Sequence, residues 1–274
     1  MRLRVVHETE YRYGAPAKWA IQLLRLTPRT HEGQLVRNWR IDLDHDAHLI
    51  RRDDCYGNVV HSLCVAGPLD RLRITVHGEV ETEDTQGVVR GSVERFPPGL
   101  FLRETPLTRA DAALRDFAET ARGAACADAL RCAHELTRSV HAQIRFDVGA
   151  TDAGTTAVEA FCAGHGVCQD LTHIFIAAAR VLGIPARYVS GYLRQLAGPT
   201  DQDASHAWAE AYIPDLGWVG FDPTNGISPT DAYVRVAVGL DYLSAAPVRG
   251  ARYGGFDEIL GVRVRVDDAH QTQA

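Results

Sequence analysis

The chain has 274 residues, enough for one large domain or two ordinary ones, and 46% of them are hydrophobic, enough to bury a core. A formal net charge of −6 excludes a broad nucleic-acid surface, which needs clustered basic side chains. No segment is long and apolar enough to cross a bilayer, and no membrane partner is expected. The N-terminal "MRLRVVHETEYRYG" lacks the apolar run and cleavage site of a signal peptide, so a cytoplasmic protein is the expectation. Its six cysteines are then mostly thiols, and with no CxxC pair among them no structural zinc is expected.

Residues 1 to about 85 read as strands. "RLRVVHETEYRY" alternates through Leu3, Val5, Thr9, Tyr11 and Tyr13. "LVRNWRIDLD", "NVVHSLCVAG" and "DRLRITVHGEVET" continue the pattern of short, half-buried strands. Gly14-Ala15-Pro16, Tyr56-Gly57-Asn58 and Gly67-Pro68 are expected to be the turns between them. Residues 91–108 hold three prolines and two glycines and read as a linker lying across the surface. A helix capped by Thr108 follows, with Ala112, Leu114 and Phe117 on its apolar side. A second helix carries Leu130, Ala133, Leu136, Val140 and Ile144. "GATDAGTTAVEAFCAGHG" reads as a loop with one helical turn. From Leu171 to Leu182 almost every residue is apolar, which predicts a helix buried on most faces and ended by Gly183 and Pro185. "ARYVSGYLRQL" is a strand, "GPTDQDAS" a loop, and "HAWAEAYI" with "WVGFDPT" a hairpin. "AYVRVAVGLDY" and "EILGVRVRVDD" are the last strands. The expected organisation is a β-rich region over 1–95, a linker over 96–107 and a core over 108–274, with the final strands returning to the first region.

Cys168 stands at the start of the buried helix, in "GHGVCQD". Unpaired N–H groups there favour a thiolate and can donate to an oxyanion. Gly164 and Gly166 are expected to leave its approach free of side chains. A thiolate needs a base, and the base needs an orienting group. The hairpin supplies His206 at the start of one strand and Asp222 near the end of the next. For both to share the face toward the helix, the connection must be a turn of odd length or contain a bulge.

"GVCQD", "SHAW" and "GWVGFDPTN" resemble the transglutaminase-like superfamily, and in particular the bacterial transglutaminase-like cysteine peptidases with a β-rich N-terminal domain. The resemblance implies an α+β fold, with a papain-like core whose cysteine helix packs on an antiparallel sheet. It implies Cys168 as nucleophile, His206 as general acid and base, and Asp222 as orienter of the imidazole. The expected reaction is acyl transfer through a thioester on a peptide, protein or amide substrate, with no metal or organic cofactor. Hydrolysis is the first reading, amine transfer the second, and a non-catalytic binding module the third.

Other residues are weighed against plainer roles. Gln169, Gly166, Tyr192 and Trp208 are candidates for the oxyanion site or the cleft wall; the two aromatics serve equally well as core. Asp170 and His173 are expected to be structural. "DHDAH", residues 44–48, reads as a charged turn rather than a metal site. Cys126, Cys132 and Cys162 are expected to be inert, with Cys162 the first exception to consider because it stands only six residues before Cys168.

Overall fold

The structure is a computed structural model that describes residues 1–125, 128–195, 201–202 and 204–269. In chain order it runs β1 (Arg2–Thr27), β2 (Gln34–Leu43), β3 (Ile50–Asp53), β4 (Val59–Thr82) and β5 (Val88–Val89). Two 3-10 turns follow, Pro98–Leu102 and Pro106–Thr108. Then come α1 (Ala112–Ala125), α2 (Ala129–Gln143), β6 (Arg145–Phe146), α3 (Ala157–Ala163), β7 (His165–Gly166) and α4 (Cys168–Val181). The chain finishes with β8 (Ala186–Leu193), β9 (Asp201–Gln202), β10 (His206–Ile213), β11 (Gly217–Phe221), β12 (Tyr233–Gly239), α5 (Tyr242–Ala245), β13 (Val248–Gly254) and β14 (Ile259–Asp268). Among the described residues, no helix is long and apolar enough to cross a membrane.

The first sheet is antiparallel, in the order β2-β4-β1-β14-β9, with β13 also on β1 and β3 on β4. The alternation seen in the sequence is its burial pattern: Leu3, Val5, His7, Thr9 and Tyr11 all point inward. Gly14-Ala15-Pro16 and Gly67-Pro68 are not chain reversals. β1 and β4 continue through them as long strands, and their mutual register shifts around Arg12, Ala17 and Trp19. A bulge inserts a residue, so the inward set changes from odd positions, Val5 to Ala17, to even ones, Ala20 to Leu26. The turn expected at Tyr56-Gly57-Asn58 is present, and Asp54 Oδ1 accepts from the N–H groups of Tyr56 and Asn58.

The second sheet has the order β12-β8-β10-β11-β5 and is also antiparallel. Its outermost strand, Val88–Val89, comes from the region assigned by sequence to the N-terminal unit. In return, Asp201–Gln202, expected as loop, pairs with β14 in the first sheet. One core runs between the two: Leu3, Val5, Val80 and Val264 pack with Phe175, Tyr188, Tyr192 and Val234.

Local chemistry explains several boundaries. α1 begins at Ala112 because Asp111 Oδ1 accepts from Leu114 N at 2.9 Å; Thr108 instead closes the preceding 3-10 turn by bonding Thr105. α3 is longer than the single expected turn, since Thr156 and Glu159 form a reciprocal capping box. The strand expected to run to Tyr242 ends at Gly239, where Asp241 caps the short α5. Nor does the proline-rich segment lie only on the surface. Phe101, Leu107 and Thr108 are buried, and the guanidinium of Arg180 donates to Phe101 O, Thr108 Oγ1, Ala186 O and Leu240 O.

Candidate active site

Cys168 and Gln169 are the first two residues of α4, so their N–H groups have no acceptor within the helix. Asp170, one residue further in, folds back. Its Oδ2 accepts from Val167 N at 2.8 Å and from Thr151 Oγ1 at 2.6 Å, which fixes the helix start and ties down the loop before α3. Burial raises the Asp170 pKa above the usual carboxylate range, against those two hydrogen bonds.

β10 and β11 are joined by three residues, Pro214 to Leu216, with Ala209 opposite Phe221 and Ile213 opposite Gly217. The connection is therefore of odd length. It places His206, Trp208 and Asp222 on one face of the sheet. That face is not the one the body of α4 covers: Ala207, Ala209 and Ala211, of the other parity, pack with Phe175, Ile176 and Ala179. His206 meets Cys168 at the end of the sheet, where the first residue of β10 lies beside the first residue of α4.

The imidazole is nearly closed off, with its side chain 10% exposed. Nε2 donates to Asp222 Oδ2 at 2.7 Å, and Cys168 stands close enough to the ring to favour its protonated form. Burial by itself lowers the His206 pKa. The Asp222 charge and hydrogen bond, with Cys168 adding to them, outweigh it and push the value up to about 10.

Asp222 is fully buried and does two jobs with its two oxygens. Oδ1 accepts from Thr224 N at 2.8 Å and Asn225 N at 3.2 Å, which shapes the turn after β11. Oδ2 accepts from His206 Nε2, Asn225 Nδ2 and Tyr233 OH, each at 2.7 Å. Burial opposes its ionisation, but the His206 charge and these donors hold its pKa below the usual range. Behind the imidazole the Trp208 indole lies at 6.2 Å in a stacked orientation, and the Tyr233 ring at 5.9 Å.

Cys168 and His206 open onto a cleft of about 460 Å³. The second sheet and α4 form its floor. The first sheet forms a wall, through His7, Thr9 and Tyr11 of β1 and Leu260 and Val262 of β14.

Comparison with known proteins places this architecture. Residues 3–81 match the family described as the bacterial transglutaminase-like N-terminal region, and residues 113–223 match the transglutaminase-like superfamily core. An uncharacterized protein of Mycobacterium leprae (strain TN) is 34% identical over 267 residues, covering 92% of this chain and 94% of the relative. The chain belongs to the transglutaminase-like superfamily. A solved structure of a candidate cysteine protease from Cytophaga hutchinsonii superimposes with a TM-score of 0.77 at 21% identity, over 97% of this chain and 90% of that one. A protein-glutamine gamma-glutamyltransferase of Pseudomonas aeruginosa is 29% identical over 171 residues, which is 53% of this chain and 25% of that protein. The fold is α+β, with a papain-like transglutaminase core and an N-terminal β-region.

In this transglutaminase-like site the lesser candidates sort differently from expectation. Gln169 borders the cleft, but its amide donates toward Asp152 O at 3.4 Å. Gly166 does not clear an approach for substrate. A Cβ there would lie 2.7 Å from Asp170 Cβ and Oδ2, so the glycine makes room for the carboxylate that starts α4. Gly164 serves the backbone too, ending α3 in the left-handed region at φ 70°. Tyr192 does not line the cleft; it is buried, and its hydroxyl is hydrogen-bonded with His7 Nδ1 at 3.0 Å. Trp208 is likewise core, packed with Val189, Tyr233 and Val238. His173 is structural: its Nε2 accepts from Tyr242 N, and burial lowers its pKa to about 4.

Sequence reasoning misses Tyr233 and Asn225. Asn225 lies inside a quoted motif, three residues past the aspartate. Tyr233 comes from β12, separated from β11 by two strands of the sheet, and carries no local signal. Among the described residues, no group of three or more His, Cys, Asp and Glu is arranged to hold a metal. In residues 44–48, Asp44 accepts from Arg71, Arg73 N and His45. Cys132 is buried and Cys162 exposed; Cys126 lies outside the described residues.

Proposed function

We propose that the chain is a thiol amide hydrolase that works through a thioester on Cys168. The observation that carries this reading is a single chain of contacts, Cys168 to His206 to Asp222, with the sulfur at a helix start and open to a cleft. With the thiol proton on His206, the Cys168 sulfur attacks the amide carbonyl carbon. The C=O electron pair moves to oxygen, where the N–H of Cys168 donates to it. Collapse breaks the C–N bond, and the proton on His206 goes to the leaving amine. His206 then takes a proton from water, whose oxygen displaces the sulfur and releases the acid. Asp222 holds the ring and balances its charge throughout. Transfer to an amine in place of water is the second reading, favoured by the partial likeness to the Pseudomonas transferase.

Mass spectrometry of the protein after incubation with a peptide-amide library tests the assignment. An acyl adduct on Cys168, absent from a folded Cys168→Ala variant that turns nothing over, is expected. Near-normal turnover by that variant rejects the nucleophile. Release of acid without added primary amine selects hydrolysis; product only when amine is supplied selects transfer.

A further inference from the structure

The cleft in front of Cys168 is chemically uneven. Among the described residues that line it there is no Asp, Glu, Lys or Arg, although such residues make up 23% of the chain. His206, which borders the cleft, is already paired with the buried Asp222. His7, the other histidine in the wall, is neutral at neutral pH, because burial lowers its pKa to about 4. A charged group entering here finds no free counter-ion among the described residues, and desolvating it without one is strongly unfavourable.

Apolar side chains stand open at the same place. Phe146 is 50% exposed, Val148 73% and Leu260 53%, and all three border the cleft. Their positions are set by backbone pairing. β6 lies parallel to β7, with Arg145 N donating to Gly164 O at 3.0 Å and Asp147 N to Gly166 O at 2.9 Å. Phe146 is thereby held next to the strand that leads into the nucleophile. Leu260 is fixed from the other side, opposite Tyr11 in the β14–β1 register. Two anchored, exposed apolar groups beside the proposed nucleophile have the character of a side-chain subsite.

We propose that the acyl donor is an uncharged segment that lays an apolar side chain against Phe146 and Leu260 beside the scissile amide. This rests on the thiol-hydrolase reading of Cys168. It makes peptide-like amides with Leu- or Phe-type neighbours the substrate class, and it disfavours donors with a carboxylate or ammonium next to the reacting carbonyl.

The test uses the full chain and peptidyl chloromethyl ketones that differ only in the residue beside the warhead: Leu, Phe, Asp or Lys. Each labelling rate at Cys168 is divided by the same variant's rate with iodoacetamide, which needs a reactive thiol but no subsite. Leu and Phe probes are expected to exceed Asp and Lys probes at least tenfold. Phe146→Ala and Leu260→Ala should each reduce that ratio several-fold, and Phe146→Lys should raise the Asp probe relative to the Leu probe. Equal rates for the four probes, or ratios that neither alanine variant moves, overturn the subsite while leaving the thiol reading in place. If iodoacetamide labels Cys168 no faster than it does in a His206→Ala variant, the thiol reading fails and the subsite falls with it.

Discussion

Asp222 divides its oxygens between a turn and an imidazole, and a neutral amide cannot do both. In Asp222→Asn the side chain either aims NH2 at three donors around Oδ2 or aims it at the N–H groups of Thr224 and Asn225. Turnover is expected to fall by about 10³–10⁴, as when a triad aspartate is replaced elsewhere. Loss of less than about threefold would reduce Asp222 to a turn residue. Tyr233→Phe removes one charge-assisted hydrogen bond, worth roughly 1.5–3 kcal/mol, and should lower turnover about tenfold or more. The His206 pKa gives a pH signature. Its folded value, about 10, lies above the ordinary 6.5, so the protonated ring stabilises the fold fully below the ordinary value. That stabilisation is lost as pH rises through about 10, and with it goes the proton that the proposed mechanism delivers to the leaving amine. The pH–rate profile should therefore hold through about pH 8–9 and fall on an alkaline limb near 10. A decline centred near 6.5 would mean that Asp222 does not bias the ring.

At the level of elements, the short join between β7 and α4 positions Cys168, the proposed nucleophile. Asp170 can cap Val167 only because Gly166 has no side chain. Gly166→Ala forces a contact of 2.7 Å against Asp170. Overpacking of this kind destabilises by about 1–3 kcal/mol. A lower melting temperature should accompany a drop in turnover of at least tenfold, because the strain falls on the turn that aims Cys168. Unchanged melting and kinetics in this variant would show that the helix start relaxes freely. The three-residue turn after β10 plays the matching part for His206: one residue more or less would send Asp222 to the opposite face from it.

Over the whole molecule, the site depends on both sheets. β1 and β14 form one wall of the cleft, and β5 extends the second sheet. Leu3 of β1 and Val264 of β14 share a core with Phe175 and Tyr192. The segment between the sheets is bonded in as well. Glu94 pairs with Arg187, which is 1% exposed and also holds Glu210, and Arg235 completes the cluster from β12. Removing one member of such a buried set is strongly destabilising. Cleavage that leaves a fragment starting near residue 105 should thus give no stable, active product. Limited proteolysis followed by assay checks this, and a fully active fragment would contradict it.

The sequence by itself determined the local features. Alternation set the strands, the apolar run from Leu171 set α4, and the parity of "HAW…FDP" demanded an odd turn, because each depends on neighbours within a few residues. Cys168, His206 and Asp222 can be picked out for the same reason, as they sit in short motifs at element ends. Bulges read as turns, since a kinked strand and a chain reversal use the same glycines and prolines. Only the tertiary structure decided which face His206 and Asp222 share, that Tyr233 donates to the aspartate, and that Tyr192 and Trp208 are core. It also decided that Gly166 serves Asp170 and that the cleft wall is built from residues 7–11 and 260–262. Those facts depend on which strands pair and how two sheets close on one core, and such contacts join residues too far apart in the chain for any local pattern to encode.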